Sequence, residues 1–110
     1  MGESMKTYHG KGTDSVGGAK EVRVDGDLLT HIERHSPDGF NWGYGGSGPA
    51  DLALSILTDL FGNDTAEQYY QKFKWDFISQ LPAGKGWTLT EEQIRAWLQE
   101  LRRRRSQRNI

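Results

Sequence analysis

The run Trp42-Gly43-Tyr44-Gly45-Gly46-Ser47-Gly48-Pro49 combines the parts of an anion site. A glycine-rich turn that enters a helix presents free backbone N–H groups beside the positive end of the helix dipole. Gly45, Gly46 and Gly48 let a phosphate or carboxylate approach the backbone, and Ser47 adds a hydroxyl. Trp42 and Tyr44 flank the turn, and either ring suits stacking on a base. Together these groups fit a nucleotide-like ligand. No Gly-Lys-Ser/Thr follows, so the run is not a Walker A loop, and it is not read as a dinucleotide fingerprint. The same residues also read as structure or protein contact. Gly48-Pro49 is good helix-start chemistry, and Phe40, Trp42 and Tyr44 alternate as one face of a strand.

Three further groups carry possible chemistry. His31, Glu33 and His35 would share one face of an extended strand, with Asp38 close by. Two imidazoles and a carboxylate can bind a metal or move protons, which makes a hydrolase a third function class. His9 is expected to join them across a sheet; the bland alternative is a solvated strand face. Lys74, between Phe73 and Trp75, is placed to reach an anion. Lys72, Lys85 and Arg95 are scattered and read as solvated. Arg102, Arg103, Arg104 and Arg105 either complement a helix C-terminus or contact an acidic partner or nucleic acid. No Ser/His/Asp triad or paired-carboxylate template stands out, so no catalytic residue, metal site or cofactor is assigned.

From His35 through the glycine run to Leu54, the chain resembles a family of small uncharacterised bacterial and phage proteins, a domain of unknown function. The likeness extends to Tyr8-His9-Gly10, to Tyr70 with Phe73-Lys74, and to Trp87. It implies no established activity. Similarity to phage genes implies an anti-defence role. In that role the protein would either sequester an anionic host signal or, like an anti-CRISPR, inhibit a host defence complex.

The elements that must position these residues follow from pattern. Glu21-Val22-Arg23-Val24 alternates as a half-buried strand, and Asp25-Gly26 turns it into a returning strand over Asp27–Ile32. Met5–His9 and Phe40–Tyr44 are further strand candidates. Ser15–Ala19 reads as a flexible loop and Ser36-Pro37-Asp38-Gly39 as a turn. A first helix starts at Pro49, capped by Gly48 or Ser47, with Asp51 in its first turn and Gly62 as its stop. A second begins near Asp64-Thr65-Ala66-Glu67, a capping-box pattern, and runs through Tyr70, Phe73, Phe77 and Leu81 to Pro82. A third is capped by Thr90 with Gln93, with Leu89 and Ile94 as a hydrophobic staple, and buries Ile94, Trp97, Leu98 and Leu101. The expected fold class is α+β: a small antiparallel sheet of three to four strands followed by three helices. All of it lies in one domain, with a core over about 5–101 and a basic tail at 102–110.

Composition narrows the function classes. At 110 residues the chain fits one domain. It has no cysteine, which excludes disulfide scaffolds, cysteine-based zinc fingers and thiol catalysis. No apolar run approaches the roughly 20 residues of a membrane span, and no apolar signal region opens the chain, so a cytoplasmic location is expected. Net charge is −1, but five of the 14 basic residues follow Leu101 and no acid does. Residues 1–101 therefore hold nine basic and fifteen acidic groups. An acidic body disfavours nucleic acid except through the arginine tail. The expected partners are a nucleotide-like anion or a host protein, with a homo-oligomer as an option for building the pocket.

Overall fold

The computed structural model describes residues 5–12 and 20–108; the loop expected over Ser15–Ala19 lies outside them. The described chain is an α+β fold. Its strands are β1 (Thr7–Lys11), β2 (Glu21–Val24), β3 (Asp27–Leu28) and β4 (Trp87–Thr90). Its helices are α1 (Ser47–Phe61), α2 (Asn63–Asp76) and α3 (Glu91–Arg108), with a 3-10 turn at Ile78–Gln80. The strands form one antiparallel sheet in the order β3-β2-β1-β4.

The β2–β3 hairpin turns at Asp25 (φ 50°) and Gly26 (φ 92°), the paired positive φ values that match strand twist in a two-residue turn. Tyr8 sits opposite both Val24 and Leu89. Tyr8, Val22 and Leu89 are buried with Trp87, which pairs with Gly10. A Cβ on Gly10 would meet the Trp87 indole at 2.1 Å, so glycine is what lets that ring lie on the sheet.

Two strand expectations change. The returning strand ends at Leu28; Leu29 N–H still donates to the Val22 carbonyl (2.9 Å), and from His31 the chain turns to bond Asp51 and Ser55 of α1. The fourth strand is Trp87–Thr90, not Phe40–Tyr44. In the latter segment Trp42 turns into the core and Gly43 adopts φ 88°, with its N–H on the Ile78 carbonyl (3.0 Å), so no flat edge remains to pair.

Helix α1 begins at Ser47, two residues before Pro49, and Gly46 is its cap. Proline is tolerated there because the N–H groups of the first turn lack an intrahelical acceptor. Gly48 through Leu57 are all buried, so α1 is enclosed on every side along this stretch. It packs along α2. Gly62, at φ 88°, closes α1 and opens α2. The Asp64/Glu67 capping box does not form; α2 has no side-chain cap, and Glu67 pairs with Arg34. Helix α2 gives way to the 3-10 turn well before Pro82. The α3 box does form: Gln93 N–H donates to Thr90 Oγ1 (3.2 Å) and Thr90 N–H to Gln93 Oε1 (2.9 Å). No helix among the described residues is long and apolar enough to cross a membrane.

Candidate functional site

The glycine run occupies the turn between the 29–42 segment and α1, next to the C-terminal end of α2. Its glycines are needed for close contact with other groups. A Cβ on Gly45 would lie 2.2 Å from the Trp75 ring, one on Gly46 2.3 Å from the Tyr44 ring, and one on Gly48 2.7 Å from Asn41 Cβ. Two aromatic rings thus rest on adjacent glycines, and both remain accessible: Tyr44 is 49% exposed and Trp75 55%. Asn41 Nδ2 donates to the Tyr44 hydroxyl (3.2 Å) and holds the phenol in place.

Trp42 is elsewhere. It is fully buried, stands edge-on to Trp87 at 5.5 Å, and donates its indole N–H to the Lys85 carbonyl (2.9 Å). It has no face to offer a base. Trp75, which the sequence pattern does not single out, presents the ring instead. Gly48 is also buried, whereas Gly45 and Gly46 are half-buried and Ser47 is exposed.

The polar groups here are short of partners. Helix α1 has no side-chain cap and no acid in its first turn. No acceptor among the described residues takes the N–H of Ser47 or Gly48. Lys74 is only 7% exposed. Its ammonium lies 4.5 Å from the centroid of the Trp75 ring, whose edge abuts Gly45, and no carboxylate among the described residues pairs with it. Lys20 reaches the same turn from the other side, on Asn41 Oδ1 and 5.4 Å from the Trp42 ring centroid. Lys20 carries no sequence signal, because its place depends on how the chain returns after residue 19.

The histidines belong to a different arrangement. Residues 29–36 do not form the expected strand; 31–36 wrap around Asp51, which is fully buried on α1. Asp51 accepts hydrogen bonds from His31 Nε2 (2.8 Å) and from the backbone N–H groups of His35 (2.8 Å), Ser36 (3.0 Å) and Arg34 (3.2 Å). Burial pushes its carboxyl up, but the His31 and backbone donors outweigh that and hold it below its ordinary value. One turn along, Ser55 Oγ accepts the Ile32 N–H (2.9 Å). His35 Nε2 meets the Tyr70 hydroxyl at 2.9 Å, and His31 packs on Phe40 at 4.6 Å. His9 lies on β1 beside Thr88. Among the described residues no group of three or more His, Asp or Glu could hold a metal. The sequence hint of this hub is a polar pair, Asp51 and Ser55, spaced four apart in the otherwise apolar stretch 48–57 of α1.

The basic run lies within α3. Arg103 and Arg104 pair with Glu100 (2.6 and 3.2 Å), and Arg105 donates to the Tyr69 hydroxyl (3.2 Å).

No curated protein and no solved structure matches this chain. A family model matches residues 8–100, from Tyr8 on β1 to Glu100 on α3, and so covers the sheet, the glycine turn and the Asp51 hub. The chain belongs to DUF6166, a family of unknown function.

Proposed function

We propose that the protein is a non-enzymatic binder of an anionic, nucleotide-like small molecule. The face that would hold it comprises Tyr44, Gly45, Gly46, Ser47, Lys74 and Trp75. The observation that carries this reading is Lys74, more than nine-tenths buried with no carboxylate partner among the described residues. The buried stem fixes the ammonium beside the Trp75 ring, where an anion at the turn can pair with it. The unaccepted N–H groups at the start of α1 add a second, independent attraction for the same charge. Exposed Trp75 and Tyr44 supply π-faces for a base. If the protein acts against host defence, as its likeness to phage proteins suggests, the ligand is a nucleotide signal that it sequesters. Isothermal calorimetry against a panel of cyclic nucleotides and ADP-ribose derivatives tests the proposal. Saturable heat with at least one is expected; no heat with any of them retires it.

A second reading rests on the same exposed rings. Trp and Tyr are enriched among the residues that anchor protein interfaces, so Tyr44 and Trp75 would suit an inhibitor that docks on a host defence complex. A Trp75→Ala variant that loses a host-protein contact while nucleotide titrations stay flat would favour this reading over the first.

A further inference from the structure

A second basic region, separate from the glycine turn, lies along α3. An open cleft of about 340 Å³ is lined by Phe61 at the end of α1 and by Arg95, Leu98, Gln99 and Arg102. That volume falls at the lower end of small-ligand pockets. The α3 residues are spaced i, i+3, i+4 and i+7, which places them on one helix face. The cleft thus joins an apolar floor, Phe61 and Leu98, to two guanidinium groups and an amide.

The arginines of α3 are not equivalent. Arg103 and Arg104 are both paired with Glu100. Arg95 is paired with Glu91 (2.6 Å) while its guanidinium carbon sits 5.1 Å from the Phe61 ring centroid. Arg102 and Arg105 have no carboxylate partner among the described residues. Both converge on Tyr69 instead: Arg105 Nη1 donates to its hydroxyl (3.2 Å), and Arg102 lies 5.7 Å from its ring centroid. Of the two, Arg102 also lines the cleft, so it brings positive charge without a carboxylate partner among the described residues beside Phe61 and Leu98. Burial pushes the Tyr69 phenol up, but these two arginines outweigh it and hold the phenol below its ordinary value.

We propose that this cleft binds an amphipathic organic anion. A phosphate or carboxylate head is held by the Arg102 fork, with Arg95 beside it, and an aromatic or alkyl body lies on Phe61 and Leu98. Guanidinium groups match such heads with two parallel hydrogen bonds, and the apolar floor separates this ligand from a bare inorganic ion.

The test is an NMR titration of the full chain with 1-naphthyl phosphate, alongside inorganic phosphate and 1-naphthol. Naphthyl phosphate should shift the Gln99 side-chain amide and the Leu98 methyl groups saturably, and bind at least tenfold more tightly than either half-molecule. Arg102→Gln, at an exposed position, should weaken it at least tenfold, and Phe61→Leu should weaken it less. Lys74→Met should leave it unchanged, which keeps this site distinct from the glycine turn. Equal affinity of inorganic phosphate, equal affinity of naphthol, or wild-type affinity in Arg102→Gln would each overturn the proposal.

Discussion

Asp51 and Lys74 are both charged and both buried, and they differ in what meets them. Asp51 is fully enclosed and takes four donors: the His31 imidazole and the N–H groups of Arg34, His35 and Ser36. Lys74 meets an indole face and no carboxylate among the described residues. Near Asp51 the chain supplies its own anion to a cluster of backbone N–H groups. At the start of α1 none of the described residues supplies one to the N–H groups of Ser47 and Gly48. The same chemistry serves folding in one region and, on our reading, recognition in the other. A polar group that is internally satisfied reports on the fold, and one that the chain leaves without a partner is open to a ligand.

The contrast predicts opposite responses to mutation. The largest effect belongs to Asp51. Removing one side of a buried, hydrogen-bonded ionic network costs about 3–5 kcal/mol, so Asp51→Ala should lose that much in urea denaturation at neutral pH. The pH dependence has a definite sign. A carboxyl held below its ordinary value of 3.8 contributes stability that is fully present above that pH and is lost as pH falls through the folded-state value. Wild-type protein should therefore lose stability steadily under acid below about pH 4, and Asp51→Asn should flatten that part of the curve.

The two tryptophans at the turn extend the comparison. Trp42→Ala should cost about 3–5 kcal/mol, as deletion of a large core aromatic does. Trp75→Ala, at a ring 55% exposed, should cost under about 1 kcal/mol and weaken the nucleotide-like ligand instead. A Trp75 variant as damaging as the Trp42 variant would break the division between fold and face.

Lys74→Met should weaken that ligand about 10- to 100-fold, or roughly 1.4–2.8 kcal/mol, in calorimetry. Its stability should match wild type, because no carboxylate among the described residues loses a partner and an apolar chain of similar length fills the same space. A variant outside the turn serves as the control. Thr90→Ala removes the α3 cap and should cost about 1 kcal/mol with no change in binding.

Much of the fold was legible because local signals agreed with tertiary structure. Asp25-Gly26 turned the hairpin, Thr90 with Gln93 capped α3, and Gly62 ended α1. Where long-range contacts decide, the pattern misled. Phe40, Trp42 and Tyr44 alternate like a strand, yet Trp42 enters the core and Tyr44 faces solvent. His31, Glu33 and His35 alternate too, but three backbone N–H groups of residues 34–36 close on Asp51 and bend the segment. Glu67 looked like a capping acid and was drawn to Arg34, 33 residues away. The proposed binding face was half legible. Its glycines, Tyr44, Ser47 and Lys74 stand out in sequence, whereas Trp75 joins them only because α2 packs along α1 and brings its last turn onto Gly45.

The most direct test of the central claim is a ¹⁵N NMR titration of wild-type protein with ADP-ribose and cyclic dinucleotides. The account predicts saturable shifts at the amides of Gly45, Gly46, Ser47 and Gly48 and at the Trp75 indole N–H, lost in Lys74→Met, with the His31–Ser36 amides unmoved. Shifts confined to the Asp51 hub, or no shift at the glycine turn with any of these ligands, would contradict it.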